Sequence, residues 1–578
     1  MSKMKDIPAV SWRPTVSGNH YAVSTGHALA SLAAMRILDQ GGNAIDAGVT
    51  AAMALAVLQP DIVSFAGVAP TLIYIKEENR VISLAGLGCW PAATDVERLR
   101  MEGGAHVPAG ILRQILPAAP ATHIQALRRY GSISFEQAVT AAYELAREGF
   151  CMYPTLYQSL DLRRDLIARY PENAAIFQPG GVTPPIGTRL RQENLAKTIG
   201  RMIEAERGTP GNREAKLQAV HDCFYRGGIA RDIADFHAKH GGFMTAEDLA
   251  GFNVPVEDSI ACNYGDYEIH SCDTWCQGIV LLEALKILEN ADLTAIGHNT
   301  PQYLHLLAEA LNLAFADREA FIGDPGFVNV PTRHLLGADH AARQFARIDP
   351  ACTEGRMYEP LEIPGFQAYR ADCLAPSEGA VRPSLDTIYA CVADKYGNAY
   401  SATLSDTMYD TPMIDGMGLL VSSRGSQSRL DPAHPASVRP GKRPRLTPTP
   451  ALALRDGHIA MAWGTPGGDV QCQAMLQVFL NAMTFGMDIQ AAIEAPRVAT
   501  FNFPDSFAPH TYLPGRLCVE NRIEPDTVRR LREFGYDVEM WSAIAWRSGA
   551  VCAIVRNPST GLLHAGADPR RPAYALAW

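Results

Sequence analysis

The residue with the most distinctive chemical setting in this chain is Thr387, which begins an apolar run that extends through Val392. A threonine hydroxyl inside a chain is a poor nucleophile, because it is essentially never ionised near neutral pH. If the bond before Thr387 were cleaved, the residue would gain an α-amine with a pKa of about 8, which could serve as the base for its own hydroxyl. Taken alone, the position is better explained as an ordinary β-branched residue that starts a strand.

The segment before Thr387 predicts a loop that presents it. Between about Asp349 and Pro383 the hydrophobic periodicity disappears, and prolines and glycines recur throughout. A stretch of this length without secondary structure is unusual inside a compact protein unless it serves as a lid or a processing linker. We therefore interpret residues 349–386 as a flexible linker that ends at the first strand of the chain's last third.

The elements that would position Thr387 are strands after it and helices on both sides of it. The predicted strands pair as 388–393 with 399–404 and as 451–454 with 459–463, the second pair joined by the tight turn Asp456-Gly457. The main predicted helices cover residues 44–58, 135–148, 303–321, 470–485 and 525–534. Mixed runs of this kind favour sheets that are covered by helices.

The composition excludes several functional classes. The 578 residues can form two domains or one large interleaved unit, and 47% apolar with 19% charged residues is typical of a globular enzyme. A net charge of −10 gives no reason to bind nucleic acid or an anionic membrane, and a small-molecule substrate is favoured. Without a signal-like N-terminus or a long apolar run, we expect a cytoplasmic protein.

The cysteines do not indicate a disulfide framework or a strong metal site. Twelve of them are scattered along the chain. His270, Cys272 and Cys276 form the one cluster with metal-like composition, but no second ligand pair lies nearby in sequence, so a plain loop is favoured over a zinc site. We predict no metal and no organic cofactor.

Nearly the whole chain resembles the gamma-glutamyltransferase family of N-terminal nucleophile hydrolases. The resemblance depends on nine segments in the family's order: 41–47; 129–131 with 145–150; 241–249; 307–310 with 315–318; 440–444; 464–468; 485–488; 495–497; and 567–571. Any one of these segments would be weak, but their order and spacing together are specific.

The resemblance implies an α+β fold, a four-layer αββα sandwich built from a large and a small subunit of one precursor. Counting back from the turn Asp394–Asn398, the family's nucleophile falls on Thr387. Self-cleavage of the Asp386-Thr387 bond would then produce a large subunit of residues 1–386 and a small subunit of residues 387–578. A dimer of that heterodimer remains open.

The resemblance also implies the other catalytic residues. The family's second hydroxyl, which contacts the nucleophile, falls on Ser405, and its oxyanion-hole glycine pair falls on Gly467 and Gly468. Glycine suits this role, because it lets the backbone approach a tetrahedral intermediate, where such donors contribute roughly 3–4 kcal/mol. A simple turn after a strand is the alternative for the pair.

The residues expected to bind a glutamyl head depart from the family pattern. Asp95 stands where the family has an arginine for the substrate α-carboxylate, and Ser426-Gln427 replace the acidic pair that binds the α-amine. Arg424 places a cation nearby, and Thr447 keeps one of two family hydroxyls. With Thr407, we take Arg424, Ser426, Gln427 and Thr447 as candidate substrate-binding residues.

These departures favour a self-processing amidohydrolase whose acyl group lacks the free α-amine and carries a carboxylate that Arg424 could pair with. A true gamma-glutamyltransferase with an altered pocket is the first alternative. The second is an unprocessed, inactive family member that acts as a binding protein. An unprocessed enzyme with another nucleophile is disfavoured, because neither Gly-x-Ser-x-Gly, nor His-Glu-x-x-His, nor a phosphate loop occurs.

Overall fold

The structure is a computed structural model that describes residues 11–371, 375–377, 379 and 387–578. In chain order, the described strands are β1 Val16–Gly18, β2 Ala22–Thr25, β3 Thr71–Ile75, β4 Arg80–Leu84, β5 Phe150–Cys151, β6 Arg189–Leu190, β7 Val256–Asp258, β8 Ile260–Tyr264, β9 Tyr267–Ser271, β10 Thr387–Ala393, β11 Ala399–Ser405, β12 Ala451–Arg455, β13 His458–Gly464, β14 Val498–Thr500, β15 Arg516–Glu520, β16 Asp537–Trp541, β17 Cys552–Arg556, β18 Leu563–Ala567 and β19 Tyr574–Ala577.

The described helices flank these strands on both sides. They are α1 Ala28–Asp39, α2 Ala44–Leu58, α3 Val96–Gly103, α4 Ala119–Tyr130, α5 Phe135–Glu148, α6 Pro154–Leu162, α7 Arg164–Ile167, α8 Pro171–Phe177, α9 Glu193–Gly208, α10 Arg213–Tyr225, α11 Gly228–His240, α12 Ala246–Gly251, α13 Ile279–Leu288, α14 Leu293–Ile296, α15 Pro301–Phe321, α16 Thr332–Leu335, α17 Ala338–Phe345, α18 Val470–Phe479, α19 Ile489–Glu494 and α20 Pro525–Glu533.

Two large antiparallel sheets form the centre of the molecule. One has the strand order β19-β2-β10-β11-β3-β4-β7 and the other β1-β18-β17-β13-β12-β9-β8. Their facing sides share a core that includes Tyr389 and Cys391 from one sheet and Leu452 and Ile554 from the other. Helix α2 covers the outer face of the first sheet, and α13, α15 and α18 cover that of the second. The predicted αββα sandwich is therefore confirmed.

Local sequence signals account for the main helices. Helix α2 begins at Ala44 because the Asn43 side chain accepts hydrogen bonds from the Ile45 and Asp46 backbone amides, while the Asp46 carboxylate accepts one from the Asn43 backbone amide. Ser134 and Gln137 form the same reciprocal cap at the start of α5. Both helices have the predicted bounds.

The helix predicted for residues 470–485 differs from the observed one. Helix α18 ends at Phe479, and Leu480–Thr484 continue as one wider π turn, closed by a 2.9 Å bond from the Phe485 amide to the Leu480 carbonyl. The predicted pattern of apolar residues does not distinguish an α turn from a π turn, because both keep the same face buried.

Residues 349–371 contain no helix or strand, although they are packed against the body of the molecule. Tyr358 and Ile363 are buried, and the Thr353 hydroxyl donates a 2.8 Å hydrogen bond to Glu309 of α15. Within the described residues, every helix is too short or too polar to span a membrane.

Candidate active site

Thr387 and Ser405 face each other across the first hairpin of the chain's last third. They are Cα partners at the open end of β10 and β11, and their hydroxyl oxygens lie 2.9 Å apart. Both side chains are buried. Ser405 is held by backbone bonds in both directions with Val68, at 3.1 and 3.3 Å. The strand register therefore brings together the two hydroxyls that the sequence predicted as a pair.

Arg424 joins this pair from a short 3-10 turn, Arg424–Gln427. Its Nη2 donates a short hydrogen bond to the Ser405 hydroxyl, its Nε lies 3.8 Å from a carboxylate oxygen of Asp406, and its guanidinium covers the Phe507 ring at 5.3 Å. The side chain is fully buried. A buried guanidinium with these partners gives the site a fixed positive charge next to the hydroxyl pair.

Asp406 is the counter-charge of Arg424. Its carboxylate accepts a 2.8 Å bond from the Ser423 amide and a 3.2 Å bond from the Ser423 hydroxyl. Burial raises the pKa of Asp406 to about 6, although Arg424 opposes the rise. Its φ of 154° is a conformation that residues other than glycine rarely adopt.

Sequence reasoning missed Asp406 and Phe507. An acidic residue directly after the strand that carries Ser405 was an available signal for the first. No local pattern marks Phe507, which reaches the site from a loop far along the chain.

Thr407 lies beside the site and has a different partner. Its hydroxyl donates a 3.0 Å bond to Asp410, and the other oxygen of Asp410 receives a 2.6 Å bond from Arg113. Both residues of that ion pair are largely buried. Thr407 thus contacts the Arg113–Asp410 pair rather than the Thr387–Ser405 pair.

Gln427 and Thr447 bind each other reciprocally. Gln427 Nε2 donates to the Thr447 hydroxyl at 2.8 Å, and the Thr447 backbone amide donates to Gln427 Oε1 at 3.1 Å. Ser426 is also buried, and its hydroxyl has no hydrogen-bond partner within the described residues. The structure thus places Ser426 and Gln427 on the same short turn as Arg424.

The glycine pair lies in the loop between β13 and α18. Gly467 and Gly468 have φ angles of 127° and 59°, values that favour glycine. The Gly468 carbonyl accepts bonds from the Gln277 side chain at 3.3 Å and from the Gln471 amide at 3.1 Å. Among the residues that the structure describes, the amides of Gly467 and Gly468 have no acceptor. The loop therefore presents two amide donors that a substrate oxygen could accept from.

The remaining predicted positions lie apart from this cluster. Asp386 falls outside the described residues. Asp95 is the exposed N-cap of α3, where its side chain accepts bonds from the Glu97 and Arg98 amides. His270 bonds to the Ser259 hydroxyl at 2.9 Å, and within the described part of the chain it forms no ligand cluster with Cys272 and Cys276.

Comparison with known proteins gives consistent matches over nearly the whole chain. A family model described as gamma-glutamyltranspeptidase matches residues 30–578. The chain is 30% identical over 568 residues to the glutathione hydrolase-like YwrD proenzyme of Bacillus subtilis, which covers 97% of this chain and 99% of that protein.

Two further matches carry other substrate names. The oxamate amidohydrolase proenzyme of Klebsiella pneumoniae is 28% identical over 581 residues, covering 97% of this chain and 99% of that protein. The crystal structure of a cephalosporin acylase from Bacillus halodurans is similar with a TM-score of 0.84 and 26% identity, covering 100% of this chain and 99% of that chain. The matched proteins are amide-bond hydrolases, and their names differ in the substrate.

Proposed function

We propose, because this chain belongs to the gamma-glutamyltranspeptidase family of self-processing amidohydrolases, that Thr387 is its nucleophile for both maturation and catalysis. The observation that carries the proposal is the buried Thr387–Ser405 hydroxyl pair at the first residue of β10. A hydroxyl held at 2.9 Å by a second hydroxyl, which a buried guanidinium contacts in turn, is oriented for attack on a carbonyl carbon.

Maturation would use the Thr387 hydroxyl against its own backbone. The hydroxyl oxygen attacks the carbonyl carbon of Asp386, the Asp386-Thr387 amide bond breaks, and the amide nitrogen takes up a proton and becomes the α-amine of Thr387. Water then hydrolyses the resulting ester and leaves Asp386 with a free carboxylate. Residues 1–386 would become the large subunit and residues 387–578 the small one.

The mature enzyme would cleave an amide by the same attack. The new α-amine of Thr387 accepts the hydroxyl proton and passes it to the leaving amine, while Ser405 orients the hydroxyl. The amides of Gly467 and Gly468 would donate to the oxyanion. Each such donor typically stabilises the transition state by roughly 3–4 kcal/mol. Water finally releases the acyl group and restores Thr387.

The substrate would be a small amide whose acyl group carries a carboxylate. Arg424 supplies the buried positive charge beside Ser405, whereas Ser426 and Gln427 supply no carboxylate for a substrate ammonium group. The name of the Klebsiella pneumoniae relative supports a short acyl group of the oxamate type, with its carboxylate next to the scissile carbonyl. The name of the Bacillus subtilis relative supports the alternative, a gamma-glutamyl compound.

Intact mass of the purified protein tests maturation. We expect two fragments of about 42 and 21 kDa, apportioned by residue number from 62.6 kDa, with the smaller beginning at Thr387. Thr387→Ala should remain a single chain, whereas Thr387→Ser keeps a hydroxyl and should still be cleaved. A wild-type protein that stays intact on prolonged incubation would instead support the inactive binding protein.

Substrate preference is tested separately on the cleaved protein. We expect ammonia release from oxamate to exceed p-nitroaniline release from gamma-glutamyl-p-nitroanilide in kcat/KM. Arg424→Gln, introduced into the cleaved form by co-expression of the two fragments, should raise KM for oxamate because the carboxylate loses its cationic partner. Efficient turnover of the gamma-glutamyl compound would overturn the substrate assignment and leave the Thr387 assignment standing.

A further inference from the structure

A second cluster of reactive side chains lies in the helical layer outside the second sheet. Glu283 of α13, Asp317 of α15 and His340 of α17 converge where these three helices pack together. Their exposed fractions are 1%, 0% and 6%, so the cluster is buried and His340 is its most exposed member. None of the three takes part in the chemistry proposed for Thr387.

The ligand atoms of the cluster have the spacing of a metal site. One atom from each residue, an imidazole nitrogen and two carboxylate oxygens, lies within 4.8 Å of the others. His340 Nε2 is 3.4 Å from Glu283 Oε1 and 2.8 Å from Asp317 Oδ2. Tetrahedral ligands at metal bonds of about 2.0–2.2 Å lie about 3.4 Å apart. The separation of His340 from Glu283 already matches this value, and the separation of His340 from Asp317 would have to widen by about 0.6 Å.

The polar atoms of the cluster are incompletely satisfied. Glu283 Oε1 and Asp317 Oδ1 are buried and have no hydrogen-bond partner within the described residues. In that same part of the chain, no arginine or lysine lies within ion-pair distance of either carboxylate. His340, which hydrogen-bonds to Asp317 Oδ2, is the one described side chain within ion-pair distance of the two carboxylates that could carry a positive charge. Buried carboxylates are stable when they are paired with a cation or coordinate a metal, and this single imidazole leaves Glu283 Oε1 and Asp317 Oδ1 without a hydrogen-bond partner.

Neighbouring side chains orient the cluster. Gln344 Nε2 donates a 2.7 Å bond to Asp317 Oδ2, and Arg347 in turn donates a 2.8 Å bond to Gln344 Oε1. Such outer contacts are typical of metal ligands.

We propose that Glu283, Asp317 and His340 bind one divalent first-row transition metal ion, of the zinc or manganese type. One imidazole with two carboxylates suits these ions better than calcium or magnesium, which prefer oxygen ligands throughout. The ion neutralises both carboxylates and ties α13, α15 and α17 together. Its role is structural, because none of its three ligands takes part in the chemistry proposed for Thr387. Asp317 directly precedes Arg318, whose guanidinium contacts Asp469 beside Gly468 at 2.5 Å.

Metal content and thermal stability of the full chain test this site without any activity assay. We expect elemental mass spectrometry to find about one equivalent of zinc or manganese in protein purified without chelator. Treatment with EDTA should lower the thermal midpoint, and added Zn²⁺ or Mn²⁺ should restore it. A wild-type protein that holds far less than one equivalent, and whose midpoint neither added ion raises, would overturn the proposal.

Matched variants separate a metal from a shared proton. Glu283→Gln and His340→Ala should lose the bound metal and the response to added metal, while His334→Ala, an exposed histidine on the neighbouring α16, should keep both. If a proton alone held the carboxylates together, Glu283→Gln would leave stability unchanged or raise it, because the glutamine side-chain amide supplies the hydrogen-bond donor that the shared proton supplied. That result would also overturn the proposal, and if the variants do not fold, the wild-type measurements decide.

Discussion

At the scale of single residues, Ser405 connects the candidate nucleophile, Thr387, to the guanidinium of Arg424. Its hydroxyl lies 2.9 Å from that of Thr387 and also accepts a bond from Arg424. Since the guanidinium can only donate, Ser405 accepts from Arg424, and the Ser405 proton is available for a bond to the Thr387 oxygen. Donation in that direction would stabilise negative charge as it develops on the Thr387 oxygen.

Ser405→Ala should therefore slow both self-cleavage and turnover. We expect a loss of roughly ten- to hundred-fold in kcat with little change in KM, the equivalent of one hydrogen bond to a developing charge. Ser405→Thr should restore most of the rate. Ser401→Ala, which removes a hydroxyl that binds Tyr389 on the same hairpin, is the matched control and should leave kcat unchanged. Equal losses in Ser401→Ala and Ser405→Ala would indicate a general packing effect.

Asp406 predicts a pH dependence of stability. Its pKa is raised from 3.8 to about 6 in the folded protein, so between these values the folded state keeps a proton that the unfolded state has lost. The contribution of Asp406 to the free energy of unfolding is thus full below about pH 4 and is lost as the pH rises through about 6. The total change in this free energy is about 3 kcal/mol.

Asp406→Asn removes this titration. As the pH rises from about 4.5 to about 8, the thermal midpoint of the variant minus that of the wild type should increase. The wild type must ionise a buried carboxyl over this range, and the variant has no carboxyl to ionise. The thermal midpoints of both proteins at the two pH values measure this. A difference between the proteins that is the same at both pH values would contradict the assignment.

At the scale of elements, the loop between β13 and α18 needs glycine for its backbone conformation, and in the proposed mechanism it also supplies the amides that donate to the oxyanion. Gly468→Ala should destabilise the protein by about 1–2 kcal/mol, because alanine is strained at a φ of 59°. Gly486→Ala, at a φ of 66° and with open space around the added carbon, should cost a similar amount. Only Gly468→Ala should also slow cleavage of the chain and of substrate. Matched rate losses in the two variants would remove the glycine loop from the mechanism.

At the scale of the whole molecule, each central sheet contains strands from both sides of Thr387. Strand β10 pairs with β2 and β11 with β3 in one sheet, and β12 pairs with β9 in the other. Buried ion pairs reinforce this arrangement: Glu319 binds Arg445 at 2.5 Å and Arg429 at 3.1 Å. The parts before and after Thr387 therefore share one core, and cleavage should not separate them.

Glu319→Gln should weaken this association. Burial alone would raise the pKa of Glu319, but Arg445 and the neighbouring arginines hold this pKa well below its usual range. Glu319 is therefore charged, and it neutralises those buried cations. Removing one partner of a buried ion pair costs about 3–5 kcal/mol, which should appear as a lower thermal midpoint and as dissociation of the two fragments in mild denaturant. Glu102→Gln, in an exposed pair with Arg98, should cost at most about 1 kcal/mol. Equal effects of the two changes would contradict the structural role of the buried network.

The sequence by itself determined the elements and the order of the motifs. The caps at Asn43 and Ser134, and the apolar run that begins at Thr387, are signals contained within a few neighbouring residues, so the corresponding helices and strand could be predicted. The family resemblance added the layer arrangement and placed Ser405 opposite the candidate nucleophile.

Only the tertiary structure decided what surrounds these residues. The contacts of Arg424 with Ser405 and Phe507 depend on how a short turn and a distant loop pack against the end of a hairpin. The convergence of Glu283 with two other side chains depends likewise on the packing of three separate helices. Such contacts join residues far apart in the chain, and no local pattern specifies them, because packing depends on the combined shape of whole elements rather than on neighbours in sequence.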